Sequence, residues 1–272
     1  MEVRAYDTTA EFRAVAQPLL DADPIKNTVL NTAVGKDWPD ALLLTLHDNG
    51  ILVGAVVQTP PYPLLVTAVP VEAAEFAAKA VHDRQPVLSG ATGPVDQVEA
   101  FVAAWTKITG KEAILSGSRR QFQLDKLQPP TTKGEARQAT QDDLPLLIDW
   151  NARFMAETLP AEVKKPPAKD LAVDRLSPSG ATVLWVVDGT PVAMAGATGP
   201  IKGTARVSPV YTASEHRGNG YGSAATAAIS QWALDQGAKN VLLFTDLSNP
   251  TTNRIYPAIG YRPLEDSAEY RF

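Results

Sequence analysis

The most constraining stretch of this chain is Ser208-Pro209-Val210-Tyr211-Thr212-Ala213-Ser214-Glu215-His216-Arg217-Gly218-Asn219-Gly220-Tyr221-Gly222. A strand-like apolar run leads into it, and an alanine-rich run over residues 223–233 leads out. Strand, glycine-rich turn and helix in that order aim free backbone N–H groups at one point. The first turn of a helix has N–H groups without intrahelical partners, and the helix dipole favours negative charge there. Glycine lets the backbone approach an anion with no Cβ in the way. The stretch therefore reads as a pyrophosphate cradle, and the fold must carry a strand into a helix through it.

The bulk numbers narrow the rest. At 272 residues two domains of ordinary size are expected. With 44% apolar and 20% charged residues the composition is that of a soluble globular protein. A net charge of −5 argues against nucleic acid or an anionic membrane as partner. The absence of cysteine removes disulfides, thiolate catalysis and cysteine zinc sites. The three histidines, His47, His82 and His216, are too scattered to suggest a metal site, so no metal is expected. Residues 1–6 do not read as a signal peptide and no apolar run reaches a membrane span, so a cytoplasmic protein is expected.

Along the chain, residues 8–20 and 25–34 read as helices, and residues 41–47 and 51–57 as a hairpin closed by Asp48-Asn49-Gly50. A third strand at 64–69 follows, then helix 71–82, strand 86–89, helix 95–108, and closing strands at 111–115 and 119–124. The polar, proline-containing connector 127–134 marks the boundary, giving domains 1–128 and 129–272. The second half reads as helices 141–155 and 170–176, a hairpin at 181–197 turned by Asp188-Gly189-Thr190, strand 204–212, helix 221–236, strand 241–246, helix 250–259, and one or more closing strands over 261–272.

The halves share that order and a register. An offset of 139 maps Gly50 on Gly189, Val53 on Val192, Thr59 on Thr198, Pro61 on Pro200 and Pro70 on Pro209. Pro94 then pairs with Pro250 at an offset of 156, so 17 residues are missing from the first half where the cradle stands in the second. Val71-Glu72-Ala73-Ala74-Glu75 replaces it, with two carboxylates and no glycine, and cannot hold a pyrophosphate.

Nucleotide loops fit the cradle poorly. A Walker loop needs a lysine that is not present, and the spacing Gly218-x-Gly220-x-Gly222 is not the dinucleotide fingerprint. The spacing Arg217-Gly218-Asn219-Gly220-Tyr221-Gly222 instead resembles the acetyl-CoA pyrophosphate loop of the GNAT superfamily of N-acetyltransferases, Arg/Gln-x-x-Gly-x-Gly/Ala. Downstream, Asn249-Pro250-Thr251-Thr252-Asn253-Arg254-Ile255-Tyr256-Pro257-Ala258-Ile259-Gly260-Tyr261 resembles that family's second signature. The resemblance covers about residues 135–272, and the first half resembles a degenerate copy of the same fold.

It implies an α/β (α+β) chain of two tandem domains, each a mixed, mostly antiparallel sheet flanked by helices, with one acetyl-CoA as co-substrate in the second. It implies cofactor contacts from the strand end Val210, Tyr211 and Thr212, from the loop Arg217, Gly218, Asn219, Gly220, Tyr221 and Gly222, and from Asn249 and Asn253. Tyr256 is the implied general acid for the leaving thiolate. In the first half its place falls on Ala100 or Phe101, and that of Asn249 on Gly93. Asp246, Glu157 and Glu215 are open candidates for the general base. The acceptor, a small-molecule or peptide amine, would sit near Trp150, Phe154, Met155, Glu157 and Leu159, with Lys164-Lys165-Pro166-Pro167 read as a loop. A CoA-binding sensor without turnover and a dinucleotide-binding protein remain alternatives.

Overall fold

A computed structural model describes residues 1–158 and 167–272. By internal packing these form two compact units. One comprises Met1–Gln121, Asp246–Ser248 and Leu264–Phe272; the other comprises Phe122–Thr245 and Asn249–Pro263. No helix among the described residues is long and apolar enough to cross a membrane.

The first unit opens with β1 (Glu2–Ala5) and α1 (Thr9–Ala22). Thr8 caps α1, its Oγ1 accepting from Glu11 N at 3.2 Å, and Phe12, Ala16 and Leu20 bury one helical face. After α2 (Thr28–Ala33) come β2 (Leu42–Asp48) and β3 (Ile51–Gln58), joined by Asn49 at φ 49° and Gly50 at φ 80°. Two left-handed residues in a row make the turn whose twist matches a hairpin. β4 (Leu64–Ala68), α3 (Ala74–His82), β5 (Gly90–Pro94), α4 (Val95–Thr109) and β6 (Ile114–Leu124) follow. β4 and β5 are parallel, while the other registered pairs of this unit are antiparallel. Its core gathers Val66, Val81, Val98, Phe101 and Trp105.

The second unit has β7 (Glu135–Gln138), α5 (Leu144–Thr158), α6 (Ala168–Leu176), β8 (Gly180–Val187), β9 (Thr190–Thr198), β10 (Thr204–Thr212), α7 (Tyr221–Asp235), β11 (Asn240–Asp246), α8 (Pro250–Ala258) and the start of β12 (Tyr261–Arg271). Asp188 at φ 48° and Gly189 at φ 79° turn the β8–β9 hairpin as Asn49 and Gly50 turn β2–β3. Within this unit β7 to β10 pair antiparallel in the order β10-β9-β8-β7, and β10 pairs parallel with β11. Each unit is thus a mixed, mostly antiparallel sheet with helices and one parallel crossover.

Several elements depart from expectation. The strand expected at 86–89 is β5, four residues later, where Ser267–Arg271 of β12 pair with it antiparallel inside the first unit. Gly90 and Gly93 make Gly-Ala-Thr-Gly-Pro look like a loop, yet a Cβ at Gly90 would collide with the Tyr270 carbonyl, so the pairing itself requires glycine. The two strands expected at 111–115 and 119–124 are one, because a side chain at Gly117 meets only Glu269 Cβ at 3.8 Å and nothing breaks the run. β1 and β7 were not expected: both are four-residue strands with almost wholly exposed side chains, so no apolar alternation marks them.

Candidate active site

The site begins with an opening in the second unit's sheet. β10 and β11 pair only at Thr204–Asn240, Ala205–Val241 and Arg206–Leu242, and then the ladder ends. On its other edge β10 continues against β9 as far as Thr212–Ala193, with a bulge between Val207 and Val210. From Ser208 onward one edge of β10 therefore has no strand partner among the described residues, and its backbone is open there. Two arginines brace that stretch: Arg175 Nε donates to the Ser208 carbonyl at 2.9 Å and Arg217 Nε to the Thr212 carbonyl at 3.0 Å. Tyr211 is buried and packs on Trp150, 5.8 Å between ring centres, whereas Val210 and Thr212 are partly exposed.

The loop after β10 has the conformation its glycines imply. Gly218 at φ 84° and Gly220 at φ 79° are left-handed, and Gly220 caps α7 with no side-chain hydrogen bond. The first turn of α7 contains no acidic residue, so none of its own side chains neutralises the N–H groups there. Asn219 folds back, its Nδ2 donating to the carbonyls of His216 at 3.1 Å and Arg217 at 3.2 Å. That use folds the Asn219 side chain onto its own loop. A Cβ at Gly222 would stand 2.9 Å from Thr212 Oγ1, which keeps the strand end and the helix start in close approach.

Arg217 is engaged more fully than the sequence suggests. Its Nη2 donates to both carboxylate oxygens of Glu157, each at 2.8 Å, and its guanidinium lies 5.6 Å from the Tyr211 ring centre. The Glu157 hydrogen bond raises the Arg217 pKa. The same pair occupies Glu157, one of the base candidates. Of the others, Glu215 is held below the ordinary carboxylate range by its own backbone N–H and then by Ser214, and Asp246 accepts from Ser248 N and Oγ at 2.7 Å.

α8 brings the downstream residues together. Asn249 caps it, with Oδ1 accepting from Thr251 N at 3.1 Å and Thr252 N at 3.2 Å. Asn253 accepts from Thr245 Oγ1 at 2.7 Å and donates to the Asn249 carbonyl at 2.9 Å, tying α8 to β11. Tyr256 projects into the core, 6% exposed, its ring 6.3 Å from Phe122 and 6.1 Å from Tyr261. Burial alone pushes its phenol up to about 12. Tyr261 in turn is bonded through its hydroxyl to Ser230 at 2.7 Å, and burial raises its pKa as well. Of Ala100 and Phe101, the positions expected to match it in the first unit, Phe101 is buried and stacks on Trp105 at 6.0 Å, and neither has a hydroxyl.

Of the residues expected around the acceptor, Trp150 and Met155 are buried in α5 and Phe154 packs beside Trp150's cluster. Leu159 and Lys164-Lys165-Pro166 lie outside the described residues; Pro167 immediately precedes α6. Among the described residues no group of three potential metal ligands comes together.

Residues 144–261 match the acetyltransferase (GNAT) family, and the chain carries a domain of that family. An aminoglycoside N(6')-acetyltransferase type 1 from Serratia marcescens is 31% identical over 62 residues, which is 23% of this chain and 42% of that protein. The fold is shared over full length with a GNAT-family acetyltransferase from Colwellia psychrerythraea, at 11% identity, 100% coverage of both chains and a TM-score of 0.68. A tandem GNAT protein from the clavulanic acid biosynthesis pathway matches over 99% of this chain and 97% of its own, at 15% identity and a TM-score of 0.59.

Proposed function

We propose that this chain is an acetyl-CoA-dependent N-acetyltransferase that passes an acetyl group to a primary amine by direct attack. The second domain, residues 129–272, would carry the site, and the first, residues 1–128, would be a copy without a cofactor loop. The observation that carries the reading is the presence of three features in one unit: the open edge of β10, the start of α7 behind two left-handed glycines with no side-chain cap, and Tyr256.

The chemistry follows from those parts. The pantetheine arm is an extended amide chain and would pair with the open backbone of Val210, Tyr211 and Thr212. Its diphosphate would lie on the N–H groups of residues 218–222. The same β10 backbone would polarise the thioester carbonyl, since preorganised N–H groups favour the developing oxyanion. The neutral amine nitrogen bonds to the carbonyl carbon, the carbon–sulfur bond breaks, and Tyr256 gives its phenolic proton to the departing thiolate. The proton from the attacking nitrogen leaves to water, and the Tyr256 phenolate takes a proton back from water before the next turnover. A phenol held near 12 stays protonated throughout the neutral range and so remains a donor.

Asn249 caps and Asn253 tethers the helix that carries Tyr256, and Asn249 would contact the arm. The acceptor is an amine, small or on a peptide; the likeness to an aminoglycoside acetyltransferase favours including aminoglycosides among those tried. The test is CoA release across a panel of primary amines. Turnover with at least one supports the enzyme. Retained acetyl-CoA binding with silence across the panel would favour a CoA-binding sensor instead.

A further inference from the structure

The proposed diphosphate loop is flanked by hydroxyls on two sides, and one of them comes from outside the two sequence signatures. Against Gly222 stands Thr212 Oγ1, at the end of β10. Against Gly220 stands Thr132: its Oγ1 is the nearest atom to where a Gly220 Cβ would be, at 3.5 Å, followed by its Cγ2 at 4.0 Å. Thr132 is partly buried, and its hydroxyl makes no hydrogen bond to any described residue.

The segment bearing Thr132 is held from both ends. On one side Leu127, Pro129 and Pro130 lie along α7 beside Ala224 and Ala227, around a small apolar cavity of about 140 Å³. On the other side Trp185 Nε1 donates to the Lys133 carbonyl at 2.9 Å. Gly134 follows at φ 111°, where a Cβ would be 2.5 Å from the Val186 carbonyl and 2.7 Å from Trp185 Nε1. Only glycine fits there, so the strap has one path across α7, and that path ends with a threonine at the helix start. Lys133 is turned away into an exposed pair with Asp188, Nζ to Oδ2 at 2.5 Å. What the strap offers the loop is a neutral donor with no acceptor among the described residues, next to N–H groups that also lack one there.

We propose that Thr132 is a further ligand of the cofactor's diphosphate, its hydroxyl donating to a phosphate oxygen from the strap rather than from β10. The assignment rests on the acetyl-CoA reading above. It makes the strap part of the binding site rather than a passive connector. A hydroxyl donating to a phosphate oxygen makes a charge-assisted bond, stronger than one between neutral groups.

The test is calorimetric titration of the full-length protein with acetyl-CoA, for the wild type and for Thr132→Ser, Thr132→Val and Thr132→Ala, with acetyl-pantetheine as a probe that lacks the diphosphate. Thr132→Val, matched in shape, should weaken acetyl-CoA binding about tenfold, and Thr132→Ala similarly. Thr132→Ser, which keeps the hydroxyl, should stay within about twofold of wild type. The affinity for acetyl-pantetheine should be unchanged by all three. Wild-type acetyl-CoA affinity in Thr132→Val overturns the assignment while leaving the acetyl-CoA reading intact. An equal loss toward acetyl-pantetheine also overturns it, because the diphosphate would not be the group involved. A wild type that binds no acetyl-CoA overturns the functional reading and this assignment with it.

Discussion

Replacing Tyr256 by Phe separates chemistry from structure. The ring sits between Phe122 and Tyr261, and its phenol is shifted by burial alone, with no hydrogen bond contributing. Phenylalanine fills the same volume and leaves no orphaned partner behind, so stability at pH 8 should change by less than about 0.5 kcal/mol. If the hydroxyl protonates the departing thiolate, kcat should fall by about 100-fold or more, the lower end for a general acid. Acetyl-CoA affinity should stay within about twofold, because the diphosphate and arm contacts are untouched. The alkaline limb supplies an independent check. The folded pKa of about 12 lies above the ordinary phenol value, so the neutral ring's contribution is whole below the unfolded pKa and is lost as the pH rises through the folded one. Between pH 10 and 12 the wild type should therefore lose stability relative to Tyr256→Phe at about 1.4 kcal/mol per pH unit. CoA-release kinetics at pH 7–9 and urea unfolding at pH 8 and 11 measure both. Unchanged kcat removes the acid role, and parallel stability curves at pH 8 and 11 remove the burial argument.

Four further substitutions probe the surrounding parts. Glu157→Gln breaks a half-exposed ion pair, so stability should move by less than about 1 kcal/mol; unmasking Arg217 should tighten acetyl-CoA binding a few-fold at low salt, and a weakening would show that the pair instead positions the loop. Gly218→Ala meets nothing within 4 Å and should cost only the left-handed backbone penalty of about 1–2 kcal/mol, whereas Gly134→Ala adds a clash with the Val186 carbonyl and should cost clearly more in urea unfolding; equal losses would refute the tight path of the strap. Asp143, held at about 2 chiefly by Arg137 with help from Thr140, contributes stability above the ordinary carboxylate pKa that is lost as the pH falls through 2; Asp143→Asn should cost about 1 kcal/mol at pH 7 and nothing further near pH 2, and an undiminished difference in acid would exclude the charge as its source.

Both hairpins were legible because Asn49-Gly50 and Asp188-Gly189 are among the few pairs that accept two left-handed residues in a row. The glycine turn between β10 and α7 was legible for the same reason, with Gly218 and Gly220 at the left-handed positions. Local rules fail where the deciding partner is distant. β5 is a strand because β12, some 175 residues later, needs a glycine edge to approach, so its glycines carry the opposite meaning from the one their neighbours suggest. β1 and β7 leave no pattern because an exposed edge strand buries nothing. In the site, Asn249 as a helix cap follows from its own neighbours, but the pairing of Arg217 with Glu157 joins residues 60 positions apart and has no local trace. Thr132 escapes for a further reason: its place is set by the backbone of Gly134 and the indole of Trp185, neither of which signals a phosphate.

The central claim is that one acetyl-CoA binds per chain, on the loop between β10 and α7. Native mass spectrometry of the full-length protein with excess acetyl-CoA, read alongside Gly218→Ala, tests it most directly. We expect a single ligand per chain, with occupancy reduced in the variant. No bound acetyl-CoA, a second molecule per chain, or full occupancy in the variant would contradict it.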